Sequence, residues 1–189
     1  MAGSKKVFTT LGSSNHAAES REAFDYYATD PKAVEMLLEL EQFAPVIWEP
    51  ACGEGHIAKV LQAHGHEVIS TDLVYRGFGD PEPLDFLKET LEGFEGDIVT
   101  NPPYSVGLEF VQRALESVRP GGKVAMFLKV QFLEGQKRGA FFKDTPPPEL
   151  FTYPVHGFHV PRMEILKGSR IRPLPMRGMC GKRASLVIQ

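Results

Sequence analysis

The sequence predicts an α/β fold built around a mainly parallel sheet. Short apolar strands alternate with amphipathic helices from residue 31 to residue 128, glycines follow the first strand, and polar residues stand at the ends of later strands. Helical connections of this length favour parallel neighbouring strands covered by helices, an α/β sandwich. The 189 residues fit one compact domain.

The first helix is predicted over residues 31–43. Asp30 is a suitable N-cap and Pro31 is favoured at the first helical position. The apolar residues Val34, Leu37, Leu38 and Leu40 recur at helical spacing. In chain order, further strands are predicted at 46–48, 67–71, 97–100 and 123–128, and further helices at 56–63 and 108–118.

Both ends of the chain differ from its centre. Residues 1–20 are polar and rich in small residues, which predicts a loose arm before a single domain at 21–189. Residues 160–189 form a basic, irregular segment with seven basic residues against one acidic, a net of +6; the first 159 residues hold 14 basic and 23 acidic residues, a net of −9. An overall charge of −3 argues against a histone-like protein, but the basic segment suggests an anionic partner at one place. Strands are weakly indicated at 151–160 and 185–188.

Composition excludes several classes of protein. With 42% hydrophobic and 24% charged residues the chain is expected to fold. The two cysteines, Cys52 and Cys180, are too few for a disulfide framework, and no cysteine or histidine spacing indicates a metal site. No signal peptide and no membrane span are apparent, so we expect a cytoplasmic protein without a membrane partner.

A glycine loop follows the first strand. Gly53 and Gly55 allow the backbone to pass close to a ligand, and the next helix offers free N–H groups at its N-terminus. The pattern is also that of an ordinary tight turn between a strand and a helix. Because Ala58 permits the G-x-G-x-x-A form, this loop alone does not exclude a nicotinamide dinucleotide.

Asp72 stands at the end of the second predicted strand. A carboxylate about 17 residues after a glycine loop can accept hydrogen bonds from a ribose diol. The alternative is a helix cap or a solvated loop residue. The distance from the glycine loop favours the ribose role.

The sequence Asn101-Pro102-Pro103-Tyr104 ends the third strand. Two prolines contribute no N–H donors and hold the chain rigid. They leave a fixed cluster of acceptors, the Asn101 side-chain oxygen and backbone carbonyls, beside the aromatic face of Tyr104. Two acceptors bind the two hydrogens of a planar NH2 group and turn its nitrogen lone pair toward an electrophile, while the tyrosine stacks on the attached ring.

These motifs resemble those of class I S-adenosylmethionine-dependent methyltransferases. EPACGEG at 49–55, Asp72 and NPPY at 101–104 look like three motifs of that family, and NPPY is the form associated with methylation of amino nitrogens, above all adenine N6. Longer stretches between residues 22 and 160 look like small methyltransferases encoded by bacteriophages and prophages. The resemblance implies a Rossmann-like three-layer sandwich, S-adenosyl-L-methionine as cofactor and a nucleic acid, DNA first, as partner.

Individual roles follow from the resemblance by position. Cofactor contacts are implied for residues on five stretches of the chain: Tyr27, Thr29, Glu49, Ala51, Gly53, Gly55, Asp72, Asp85 and Phe86. Of these, Asp85 and Phe86 match the pair that reads and packs against the cofactor adenine. The target amine is implied to bind at Asn101, Pro102, Pro103 and Tyr104.

The C-terminus departs from the family pattern. Two further strands in a hairpin usually close the family's sheet, whereas residues 165–189 offer one candidate strand, so we expect an incomplete C-terminal hairpin. Sequence-specific members also carry a target-recognition domain, for which this chain has no room. The acceptor thus stays open between adenine in DNA, adenine in RNA and a glutamine amide in protein, and a degenerate cofactor-binding accessory protein is the non-enzymatic alternative.

Overall fold

A computed structural model describes residues 27–89, 92–133, 139, 141, 149–152 and 183–188. In chain order its elements are α1 (Pro31–Leu40), β1 (Val46–Glu49), α2 (His56–Ala63), β2 (Glu67–Ser70), β3 (Asp97–Thr100), α3 (Gly107–Ser117), β4 (Lys123–Leu128), β5 (Glu149–Thr152) and β6 (Arg183–Ile188). Short 3-10 helices lie at Tyr104–Val106 and Val130–Leu133.

The strands form one sheet in the order β2-β1-β3-β4-β6-β5. Each neighbouring pair is parallel, so the carboxyl ends of the strands share one edge. The chain first moves outward from β1 to β2 and then crosses back to place β3 on the other side of β1. Ligands bind at such a reversal, outside the carboxyl ends of the strands.

Helices cover both faces of the sheet. Successive strand residues point to opposite faces, and the core divides accordingly. Trp48, Ile98, Val124 and Met126 pack with the apolar face of α3. Their sequence neighbours on the same strands, Ile47, Val99, Ala125 and Phe127, pack with α1 and α2. Strands β1, β3 and β4 are therefore covered by helices on both faces.

The start of helix α1 illustrates how local sequence signals predict the helices and strands of this fold. The Asp30 side chain accepts a hydrogen bond from the Lys32 N–H at 3.0 Å, and Pro31 occupies the first helical position. Val34 and Leu37 are buried from this helix, whereas Leu40 is 43% exposed. The predicted α/β class with a parallel sheet is confirmed.

Among the residues that the structure describes, the C-terminal strands do not form the incomplete hairpin that we expected. β5 and β6 do pair with each other, but in parallel, and a hairpin requires antiparallel strands. β6 also lies between β4 and β5, so the sheet continues in parallel through this end. The predicted strand at 185–188 lies within β6. The one at 151–160 overlaps β5 at 151–152, and its other residues lie outside the described part of the chain.

Much of the predicted organisation of the chain ends falls outside the described residues. This holds for the arm at 1–20 and for the basic segment at 160–189 apart from β6. Within the described part of the chain, no helix has both the length and the apolar character needed to cross a membrane.

Candidate active site

A pocket of about 760 Å³ opens at the carboxyl ends of four strands. It is lined by Glu49 at the end of β1, Asp72 after β2, Asn101 after β3 and Lys129 after β4. The remaining lining residues come from the segment before α1, the loops that follow these strands and the first turn of α2: Tyr27, Ala28, Thr29, Ala51, Cys52, His56, Ile57, Leu73, Val74, Arg76, Pro102, Pro103, Tyr104, Ser105 and Val106.

The glycine loop supports one wall of the pocket. Gly53 and Gly55 have φ angles of 55° and 78°, which residues other than glycine rarely adopt. A Cβ atom added to Gly55 would also overlap the ring of Phe78. The loop therefore needs glycine at position 55 for both its backbone angle and its packing, and this lets α2 begin directly beside the pocket.

Glu49 is a buried carboxyl group, and one of its two oxygens lacks a hydrogen-bond partner in the described part of the chain. Its side chain is 1% exposed and accepts a hydrogen bond from the Ala58 N–H near the start of α2. Its Oε2 atom has no partner within the described part of the chain. Burial raises the pKa of Glu49 well above its ordinary value, and the nearby charge of Asp72 acts in the same direction. The site thus presents a carboxyl group that a cationic or hydrogen-donating ligand would stabilise.

Asp72 is held by three donors from the protein. Its Oδ2 atom accepts from the Gly53 N–H at 2.8 Å. Its Oδ1 atom accepts from the Val74 N–H at 2.9 Å and from the Arg76 guanidinium at 3.2 Å. A carboxylate offers about four acceptor positions, so one remains for a ligand hydroxyl while Arg76 stays in place. Acceptance of both hydroxyls of a diol requires Arg76 to move away.

Asn101 is fixed by its amide nitrogen. The Nδ2 group donates to the Tyr27 carbonyl at 3.0 Å and to the Thr29 hydroxyl at 2.9 Å. These bonds leave the other end of the amide, Oδ1, as an acceptor that is buried and has no partner within the described segments. Because Asn101 lines the pocket, the site holds an oriented oxygen acceptor that lacks a donor.

An aromatic pair and a lysine lie next to Asn101. The rings of Tyr27 and Tyr104 stack with their centroids 5.1 Å apart. The Lys129 ammonium lies 4.2 Å from the Tyr104 centroid and 4.6 Å from the Tyr27 centroid. Since the three separations are similar, the ammonium and the Tyr27 ring lie on the same side of the Tyr104 ring. The opening beside the oriented acceptor is therefore both aromatic and cationic.

Most residues predicted to form the site come together in this pocket. Its lining contains Tyr27, Thr29, Glu49, Ala51, Asp72, Asn101, Pro102, Pro103 and Tyr104. Gly53 and Gly55 do not line it, but Gly53 bonds to Asp72 and Gly55 precedes α2. The turn at the NPPY segment uses the Pro103 carbonyl, which accepts from the Val106 N–H at 3.1 Å.

Asp85 and Phe86 lie outside the pocket lining. Asp85 forms an ion pair with Lys88 at 2.7 Å and accepts from the Leu87 N–H, and the hydrogen bond from Lys88 lowers the pKa of Asp85. Phe86 is 2% exposed and packs against Trp48 and Phe110 in the core. In the structure, Asp85 therefore stabilises a local turn and Phe86 packs in the core.

Sequence reasoning did not find several residues of the pocket. Lys129, Arg76 and His56 line it without belonging to a motif that the sequence analysis used. For Lys129 a signal existed in its position directly after a buried strand, where the carboxyl end of a parallel strand faces the ligand edge. For Arg76 the signal was its spacing of four residues from Asp72.

Comparisons of the chain with models of protein families, with curated proteins and with solved structures find no match. The function proposed below therefore rests on the residues of the pocket and on the sequence motifs that they carry.

Proposed function

We propose that this protein is an S-adenosyl-L-methionine-dependent methyltransferase that methylates a planar amino nitrogen, with N6 of adenine in DNA as its acceptor. The observation that carries the proposal is the Asn101 amide. Its nitrogen is held by Tyr27 and Thr29, and its buried Oδ1 lacks a donor. A buried acceptor without a partner is costly, and an NH2 group of the acceptor would satisfy it.

The pocket has the size and charge that S-adenosyl-L-methionine requires. A volume of about 760 Å³ falls within the range of about 300–1,000 Å³ typical of small-molecule sites. The side near β1 and β2 holds the Glu49 carboxyl group and the Asp72 carboxylate paired with Arg76, and the unpartnered Glu49 Oε2 suits an ammonium donor. The position left on Asp72 suits one ribose hydroxyl, and a second becomes available if Arg76 moves.

The chemistry at the acceptor follows from the NPPY segment. S-adenosyl-L-methionine supplies an electrophilic methyl group on a sulfonium sulfur. We expect Asn101 Oδ1 to accept one hydrogen of the amine and a backbone carbonyl of the NPPY segment, such as that of Pro102, to accept the other. Bonds from two acceptors draw the nitrogen toward sp3 geometry, so its lone pair points out of the ring plane. Positioning of this kind accounts for much of an enzyme's rate enhancement.

The protein needs no base before the attack. The amine nitrogen gains positive charge as the new bond forms, and Asn101 Oδ1 stabilises its hydrogens throughout. As the bond from nitrogen to the methyl group forms, the bond from sulfur to the methyl group breaks, so the sulfonium would become a neutral thioether. The nitrogen then loses one proton to solvent water. In a duplex the adenine amine is paired, so the base must first be turned out of the stack and into the pocket. Tyr104 supplies the aromatic face against which it would pack.

Asp85 and Phe86 have no assigned part in this proposal. Their side chains are engaged with Lys88 and with the core, respectively. Leu73 and Val74 line the pocket beside Asp72 and offer the apolar contact that a cofactor adenine needs.

Transfer of labelled methyl groups tests the proposal. Purified protein is incubated with methyl-labelled S-adenosyl-L-methionine and, separately, DNA, RNA or a protein extract. We expect label in DNA, on N6 of adenine, and its loss in Asn101→Ala. The matched control is Gln62→Ala, which removes an exposed amide from α2 outside this pocket and should methylate normally.

The same experiment separates the alternatives. Label in RNA or on protein glutamine alone would keep the amine-methylating chemistry and replace the acceptor. Cofactor binding without transfer to any of the three would favour an accessory protein and contradict the proposal.

A further inference from the structure

The pocket is divided by charge between its two sides. Two carboxyl groups, Glu49 and Asp72, lie at the ends of β1 and β2, and the cation beside them, Arg76, is paired with Asp72. Lys129 lies at the end of β4, next to Asn101 at the end of β3, where the described lining holds no carboxyl group. The cationic side is therefore the side of the amine acceptor. The sulfonium of S-adenosyl-L-methionine would repel a lysine at this place, whereas an acceptor that carries a negative charge would attract it.

The contacts of Lys129 allow its ammonium to move. The side chain is exposed, and its described contacts are the two tyrosine rings at 4.2 and 4.6 Å. A cation over an exposed aromatic ring is weakly held, and the lysine stem is flexible. A base that stacks on this side of Tyr104 displaces both the ammonium and the stacked Tyr27 ring, which is itself 39% exposed.

We propose that Lys129 binds a backbone phosphate of the nucleotide whose base enters the pocket. The inference rests on the proposed function and identifies the acceptor as a nucleotide in a phosphodiester chain. In the free protein the ammonium covers Tyr104, and on binding it exchanges the rings for the phosphate. A glutamine residue has no anionic group of its own, whereas every nucleotide in a chain has a phosphate, so Lys129 favours nucleic acid over protein.

Salt dependence of binding tests this contact without requiring catalysis. Affinity for a fluorescein-labelled, adenine-containing DNA duplex is measured by anisotropy over a range of salt concentrations. Each phosphate contact contributes about 0.9 to the slope of log affinity against log salt for duplex DNA. We expect Lys129→Ala to reduce the slope by about that amount and Lys129→Arg to restore it.

The control is another lysine with a similar ring contact. The Lys59 ammonium lies 5.0 Å from the Phe78 centroid and donates to the Glu54 carbonyl, outside the pocket lining. Lys59→Ala should leave the slope unchanged. An equal reduction in both variants, or none in Lys129→Ala, would overturn the proposal.

Steady-state kinetics separate this inference from the function on which it rests. In Lys129→Ala the KM for DNA should rise about tenfold with kcat within about twofold, as expected when a charged contact to substrate is lost. Methylation of DNA with an unchanged KM in Lys129→Ala refutes the Lys129 contact alone. Methylation of protein alone also refutes it, while sparing the amine chemistry. Absence of methyl transfer to any acceptor refutes the proposed function.

Discussion

Replacement of Asn101 by alanine distinguishes a catalytic amide from a structural one. The Asn101 side chain makes two hydrogen bonds, to the Tyr27 carbonyl and to the Thr29 hydroxyl. Each such bond contributes about 0.5–1.5 kcal/mol, and the one to Tyr27 is exposed. We therefore expect Asn101→Ala to lose about 1–2 kcal/mol of unfolding free energy.

The expected effect on catalysis is larger than this loss of stability. Removal of one oriented hydrogen-bonding group from a reacting centre typically lowers kcat by about 10²–10³-fold. A stability loss of about 1–2 kcal/mol lowers Tm by about 2–8 °C in a chain of this size, which leaves the protein folded at an assay temperature of about 25 °C. The variant should consequently be folded and nearly inactive.

Thr29→Val is the matched control. It removes one of the two bonds to the Asn101 amide but keeps Oδ1 and the contact with the Tyr27 carbonyl. We expect a stability loss of about 1 kcal/mol and a fall in kcat of about tenfold or less, because the acceptor is loosened and not removed. Thermal denaturation and initial rates of methyl transfer measure both quantities.

Two results would refute this reasoning. If both variants lose activity in proportion to their loss of stability, the Asn101 amide has only a structural role. If Asn101→Ala keeps the wild-type kcat, Oδ1 does not contact the reacting amine.

Three further predictions concern the walls of the pocket. Gly55→Ala should cost about 2–5 kcal/mol of stability through backbone strain and ring overlap, whereas Gly65→Ala, at a positive φ in open space, should cost about 1 kcal/mol; equal losses in thermal denaturation would contradict this. Because burial raises the pKa of Glu49 above 4.5, the folded state binds its proton more tightly than the unfolded state, so wild-type stability falls as pH rises above 4.5; in urea denaturation Glu49→Gln should lack this part of the decline, and an unchanged pH profile would refute it. Burial raises the pKa of the Cys52 thiol to about 12. In a Cys180→Ser background at about pH 8, alkylation of Cys52 should therefore be about a thousandfold slower in folded than in unfolded protein. Equal rates would contradict the raised pKa.

The central elements of the fold were predictable because their signals are local. Strand β4 and helix α2 have the predicted bounds, since β4 is an apolar run that follows Gly121-Gly122 and α2 is an amphipathic segment between Gly55 and Gly65. The pairing of β5 with β6 was not predictable. It joins residues that lie more than thirty positions apart, with no periodic pattern between them to indicate direction.

The same distinction holds for the site. The NPPY segment and the glycine loop are contiguous motifs, and the structure brings Asn101 and Tyr104 together with Glu49 and Asp72 in one pocket. Contacts between distant segments were missed. The Tyr27 carbonyl that holds Asn101 is 74 positions away, and this bond determines which end of the amide faces the ligand.

The number of hydrogen bonds that Asp72 already accepts was likewise not predictable from the sequence. Its position at the end of β2 indicated a ribose contact, but a position does not show how many donors a carboxylate already has. The structure supplies three, from Gly53, Val74 and Arg76. Whether Arg76 stays or moves thus determines how a diol can bind.

The most direct test of the central claim is mass spectrometry of DNA from cells that express the protein. Nucleosides from cells with wild-type protein are compared with those from cells with Asn101→Ala at equal expression, in a host that lacks adenine methylation. The account predicts N6-methyladenine in the first sample and its near absence in the second. Equal amounts in both samples, or none in either, would contradict it.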